Sequence, residues 1–139
     1  MALAADRPYE TSGELTAIRV KLTTGSTYYK GGLINVTAAG GLGVKASDTA
    51  NQGSLTGVLV QQKVAVSGDD LGELEIGKVW IPFASAAQAD VWDYCYATAD
   101  DTIAKAAANA DPIGRIVDVR VGISALVDLS VGVPKTALA

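Results

Sequence analysis

Glycine-bearing turns cut this chain into short β-prone runs, and no apolar run keeps a helical period long enough to supply a helical layer. Thr23-Thr24-Gly25-Ser26, Gly31-Gly32, Gly40-Gly41, Ser67-Gly68-Asp69-Asp70 and Gly122 are the breaks, because glycine takes positive φ freely and serine bonds nearby backbone. Between them lie runs with strand composition: 15–22, Leu33 to Thr37, Leu55 to Val66, Leu71 to Phe83, Val91 to Tyr96, Ile113 to Val121 and Ile123 to Val131. Val58, Val60, Val64 and Val66 fall on one side of the third run, and a bend or bulge at Gln61 and Gln62 would carry that face past the break. Val79, Ile81 and Phe83 line one side of the fourth run while Lys78, Trp80 and Pro82 line the other. Ser85 to Asp90 is the best local helix signal, one or two turns with Ser85 as cap and Gln88 reaching back to it. Residues 103–110 fit either an alanine-rich helix or a strand followed by a turn. The pattern predicts a mainly β fold, a compact β-barrel or sandwich-like domain with one short helix.

At 139 residues the chain suits a single core, and 49% hydrophobic against 19% charged residues separates it from sequences too polar to fold. Residues 1–14 lack periodic apolar positions and read as a flexible N-terminal arm, leaving 15–139 as the domain with a short tail beyond Gly132. Eleven basic residues are scattered among fifteen acidic ones, so a net charge of -4 disfavours direct nucleic-acid binding. No unbroken apolar stretch reaches the length of a membrane span, and the first residues lack the basic and apolar regions of a secretory signal. Cys95 has no cysteine to pair with, which fits synthesis in a reducing compartment, and between Tyr94 and Tyr96 it reads as a small buried hydrophobe.

The sequence offers little to reactive chemistry. It contains no histidine, which removes the usual proton shuttle and histidine-based triads and zinc sites. Asp69, Asp70, Glu73 and Glu75 form the densest acidic group, but Gly68 and Gly72 beside them suit a solvated turn, and calcium-loop spacing is absent. Gly40-Gly41-Leu42-Gly43 and Gly77-Lys78 match neither a dinucleotide turn nor a phosphate loop, and Ser124 is not in a nucleophile elbow. Asn35-Val36-Thr37 matches a glycosylation acceptor without a secretion signal to make it one. No catalytic, cofactor-binding or metal-ligating residue is therefore nominated, and the chain is read as non-enzymatic. Aromatic surface is more informative: Trp92, Tyr94 and Tyr96 share a face at strand period, and with Trp80 they are candidates for the core or a subunit interface.

Gly57-Val58-Leu59-Val60, Gly77-Lys78-Val79-Trp80-Ile81-Pro82, Tyr94 to Tyr96, Pro112-Ile113-Gly114-Arg115-Ile116-Val117 and Ala125-Leu126-Val127-Asp128-Leu129 occur in an order that resembles the small capsid decoration, or cement, proteins of tailed bacteriophages. The likeness spans roughly residues 15 to 131. It implies a homotrimer on the outer surface of the expanded head, attached to the phage major capsid protein, needing no cofactor and carried on the virion after synthesis in the host cytoplasm. It also implies an N-terminal arm that orders against the shell, making Arg7, Pro8, Tyr9 and Glu10 candidate shell contacts. A carbohydrate-binding or adhesive β domain is the competing expectation, and a carboxylate-dependent enzyme a more distant one.

Overall fold

The computed structural model describes residues 3–37, 41–48, 55–107 and 111–129. These residues form a mainly β domain in which a large sheet curls into a half-barrel and a small two-stranded sheet stands apart. The strands are β1 (Glu10–Lys21), β2 (Thr27–Tyr28), β3 (Leu33–Val36), β4 (Gly43–Lys45), β5 (Leu55–Leu59), β6 (Lys63–Val64), β7 (Leu71–Pro82), β8 (Tyr94–Ala99), β9 (Thr102–Ala104), β10 (Pro112–Arg120) and β11 (Ser124–Asp128). The large sheet runs β4-β3-β5-β7-β11-β10-β8-β9, with β1 added on β7, and β2 pairs separately with β6.

The organising element is β7. Along one edge it pairs antiparallel with β1, from Glu10 opposite Trp80 to Lys21 opposite Leu71. Its other edge is shared, by β5 at Glu75 and Leu74 and by β11 from Lys78 to Pro82. The buried positions of β7 change parity midway, from Gly72, Leu74 and Ile76 to Gly77, Val79 and Ile81. The β1 register shifts at the same level, between Ser12 and Thr16, as a β-bulge does. Gly77 permits this: a Cβ there would lie 2.8 Å from the Glu14 carbonyl oxygen and 2.7 Å from Leu15 Cδ2.

Two apolar clusters result. Val20, Leu22, Tyr28, Ile34, Leu59, Ala65 and Leu74 fill one, and Leu33, Val58, Ile76, Val79, Ile81, Cys95, Ile116, Val127 and Leu129 are part of the other. Adjacent residues of β3 (Leu33, Ile34) and β5 (Val58, Leu59) enter different clusters, so these strands bury both faces and read as continuous apolar runs. A bridge between Leu22 and Gly43 draws the end of β1 toward β4 and curls the sheet.

Several expectations are corrected. The first strand begins at Glu10, not near residue 15, because Glu10, Thr11 and Ser12 already pair with Trp80, Val79 and Lys78. The segment assigned to an arm is thus docked from Leu3 onward: the Leu3 N–H donates to Asp100 Oδ1 and the Arg7 N–H to the Lys30 carbonyl. The run 55–66 is two strands in different sheets, and the valine face does not survive the break at Gln61 and Gln62: Val64 and Val66 are 53% and 50% exposed while Ala65 between them is buried. Among the described residues helix is reduced to one 3-10 turn, Gln88–Asp90, where the Asp90 carboxylate rather than Ser85 or Gln88 accepts the Ala87 N–H. Thr102–Ala104 is a strand, favouring the strand-and-turn reading of that segment, while 108–110 and the tail from residue 130 lie outside the described residues.

Candidate functional site

Asp90 begins the site. Its side chain is buried, accepts the Ala87 N–H at 2.8 Å and pairs with Lys105 at 2.7 Å. The Lys105 ammonium and the Ala87 amide hold the carboxyl below the ordinary aspartate value. The Asp90 carbonyl in turn accepts the Asp93 N–H, so this residue fixes the turn that carries Trp92.

Trp92 has φ +82°, the one described non-glycine residue at positive φ, and it is 64% exposed. A bulky residue in that region is strained by on the order of 1–3 kcal/mol and persists only where its surroundings hold it. Here they do: the Trp92 N–H donates to the Ile116 carbonyl at 2.6 Å, and Arg115 Nη1 donates to the Trp92 carbonyl at 2.7 Å. The same guanidinium donates to the Tyr94 hydroxyl at 2.9 Å and lies over both rings, 4.1 Å from the Tyr94 centroid and 5.6 Å from that of Trp92. The result is a pre-organised aromatic knob whose backbone is tied down and whose indole meets solvent.

Trp80 occupies a contrasting position. It is half-buried on β7, covered by Arg120 at 4.0 Å, and Arg120 makes a two-pronged ion pair with Glu10, its distances 2.8 and 3.0 Å. A candidate shell contact and a candidate interface residue are therefore brought together, as cross-strand partners bridged by one arginine. The other shell-contact candidates are partly engaged as well. The Tyr9 hydroxyl donates to Glu75, and burial together with that carboxylate pushes the phenol above its ordinary value. Arg7 donates to the carbonyls of Gly31 and Asp101, while Pro8 is exposed.

The strand-period face proposed for Trp92, Tyr94 and Tyr96 is only partly realised. The strand starts at Tyr94, so Trp92 precedes it and points outward by its own φ; as a protomer-core residue it is ruled out by its exposure. Tyr94 and Tyr96 are half-buried, and Tyr96 sits between Pro112 and Ala104 in the sheet. Cys95 is fully buried, and desolvation pushes its thiol up to about 12, as expected for a packing residue.

Reactive groups stay apart. Ser124 is buried with its hydroxyl unpartnered, and Glu75 is engaged with Tyr9. Asp69 pairs with Lys63 and Asp70 lies 4.0 Å from Lys21. Among the described residues no three Cys, Asp or Glu side chains converge as a metal site, and no helix is long and apolar enough to cross a membrane. An open cleft of about 460 Å³ is lined by Arg19, Gln61, Gln62, Lys63, Leu71, Gly72 and Glu73.

Sequence reasoning missed Asp90 and Arg115 as builders of the site. Arg115 stood inside the Pro-Ile-Gly-Arg segment, but its role depends on a neighbour 23 residues away. Comparison with known proteins finds no match: no family model fits the chain, and neither a curated protein nor a solved structure matches it.

Proposed function

We propose that this chain is a structural attachment protein that binds the outer surface of an expanded phage head as a homotrimer, bridging shell subunits and stabilising them. The observation that carries the reading is the Trp92 knob. A domain that works by surface contact needs rigid, exposed aromatic and arginine anchors, the residue types over-represented at binding hot spots, and strain tolerated to present one is consistent with that use. The order of motifs from Gly57 to Leu129 supports the particular target. Bridging requires area and geometry rather than a nucleophile or cofactor.

The test is attachment of the purified protein to cognate heads before and after expansion, followed by image reconstruction and a heat-release assay. Regular occupancy of expanded heads and a higher rupture temperature are expected, with poor binding to unexpanded heads. Trp92→Ala should weaken attachment at least tenfold while the protein stays folded. No ordered attachment to the expanded head would overturn the assignment. A carbohydrate-binding domain would use the same exposed indole, and glycan binding abolished by Trp92→Ala with no head attachment would favour that reading instead.

A further inference from the structure

Apart from Trp92, the large apolar side chains left exposed among the described residues fall in two places. Val121 and Ile123, both 66% exposed, flank Gly122 at the tip of the turn between β10 and β11. Val64, Val66 and Leu71 stand around the turn that joins β6 to β7. Aliphatic side chains at turn tips run against the polar chemistry that turns favour, and grouped apolar exposure marks a contact surface. The two groups lie at opposite ends of β7: Leu71 is its first residue, and Ser124, next to Ile123, pairs with Pro82, its last. That strand has 12 residues, on the order of 40 Å when straight, so the two groups cannot meet within one molecule.

Their shapes and polar groups are complementary. The hairpin tip projects, while Leu71 lines the open cleft together with Arg19, Gln61, Lys63 and Glu73. Asp69 holds the Lys63 ammonium, but the side chains of Arg19, Gln61 and Glu73 make no hydrogen bond or ion pair among the described residues. The tip is held rigid, its Gly122 N–H donating to the Ala86 carbonyl and its Ile123 N–H to the Arg120 carbonyl. The Val121 N–H and the carbonyls of Val121 and Gly122 have no partner among the described residues. A tip seated in the cleft would put Val121 and Ile123 on Leu71, offer the two carbonyls to the Arg19 and Gln61 donors, and give the Val121 N–H an acceptor in Glu73. Apolar groups at the centre with hydrogen bonds round them is the anatomy of a protein interface. Two unlike, complementary patches on one rigid body make a head-to-tail contact, which closes as a ring; a two-fold dimer would set each patch against its own kind.

We propose that the Val121-Gly122-Ile123 tip of one copy of this chain seats in the cleft lined by Arg19, Gln61, Leu71 and Glu73 of the next copy, head to tail around the ring. The number of copies rests on the homotrimer reading given above. The seated tip covers both aliphatic groups in every protomer and leaves Trp92 free for a further partner.

The experiment uses the full-length chain, whose own Cys95 is buried. Leu71→Cys and Ile123→Cys are introduced singly and together, the protein is treated with a short bismaleimide, and linked species are sized on denaturing gels beside sedimentation of the untreated oligomer. Head-to-tail seating makes the double variant run as linked trimers and leaves each single variant unlinked, because a cysteine at position 71 then meets only one at position 123. Independently, Val121→Asp combined with Ile123→Asp is expected to weaken the trimer at least about tenfold, with the protomer still folded by circular dichroism. Linked dimers from either single variant would overturn the proposal, as would a trimer that the charged substitutions leave intact. A wild-type chain that sediments as a trimer while the double variant stays unlinked would reject this contact and keep the trimer. A monomer at every concentration would reject both, and neither result depends on phage heads.

Discussion

The two tryptophans of this protein both carry an arginine on the ring, yet the two stacks do different work. At Trp80 the ring lies on a regular strand, and Arg120 clamps it while pairing with Glu10, so the stack seals the seam between the start of β1 and the end of β10. At Trp92 the arginine is nearer to Tyr94 than to the indole, and its shorter hydrogen bond goes to the Trp92 backbone. One arginine covers a tryptophan; the other holds a tryptophan's backbone and leaves its ring exposed. Burial and backbone conformation, not the pairing of residue types, separate a stabilising stack from a presented one.

Truncation should separate them most. Trp80→Ala is expected to cost about 2–4 kcal/mol in denaturant unfolding, since a half-buried ring and its arginine partner lose their packing. Trp92→Ala is expected to change stability by only about 0.5 kcal/mol, because little indole surface is buried. Equal losses would erase the distinction.

Arg115→Met comes next. Loss of the hydrogen bonds to the Trp92 carbonyl and Tyr94 hydroxyl, and of the stacking, should cost about 1–2 kcal/mol. It should also release the indole, read as lower fluorescence anisotropy in a Trp80→Phe background. Unchanged anisotropy would mean that the positive-φ loop is held without Arg115.

Acid should then loosen the Trp92 turn. Lys105 and the Ala87 amide lower the Asp90 carboxyl from its ordinary value of 3.8. A carboxyl lowered on folding contributes stability that is fully present above its unfolded value and is lost as pH falls through its folded value. Melting temperature should therefore hold above about pH 5 and decline below pH 4, with a shallower decline in Asp90→Asn. An identical acid profile for that variant would remove Asp90 as the anchor.

The smallest effect belongs to the exposed Glu10–Arg120 pair. Glu10→Gln should leave melting nearly unchanged at physiological salt and lower it slightly at low ionic strength, where an exposed pair is least screened.

How much of this was legible in the sequence follows the range of the interactions. Alternation placed Val79 and Ile81 in the core with Trp80 on the opposite face, and the small apolar character of Cys95 marked it for burial; both are properties of a strand and its immediate neighbours. The mainly β architecture likewise follows from turn residues and strand composition. Tertiary structure decided the rest. Ala65 is buried instead of Val64 and Val66 because the chain leaves one sheet for another at Gln61 and Gln62, and period-2 alternation cannot carry a face across such a change. Residues 3–9 are docked because Asp100 and Gly31 await them, 97 and 24 positions from their partners Leu3 and Arg7. Trp92 is exposed because Ile116 and Arg115, more than twenty residues further on, hold its backbone at a φ that no local propensity of tryptophan would choose. The sequence by itself determined which segments could become strands and which of their faces were apolar, since these depend on side-chain chemistry and the two-residue repeat. Only the tertiary structure decided where residues 3–9 lie and which tryptophan is displayed, because both depend on hydrogen bonds between residues that the folded sheet alone brings within reach.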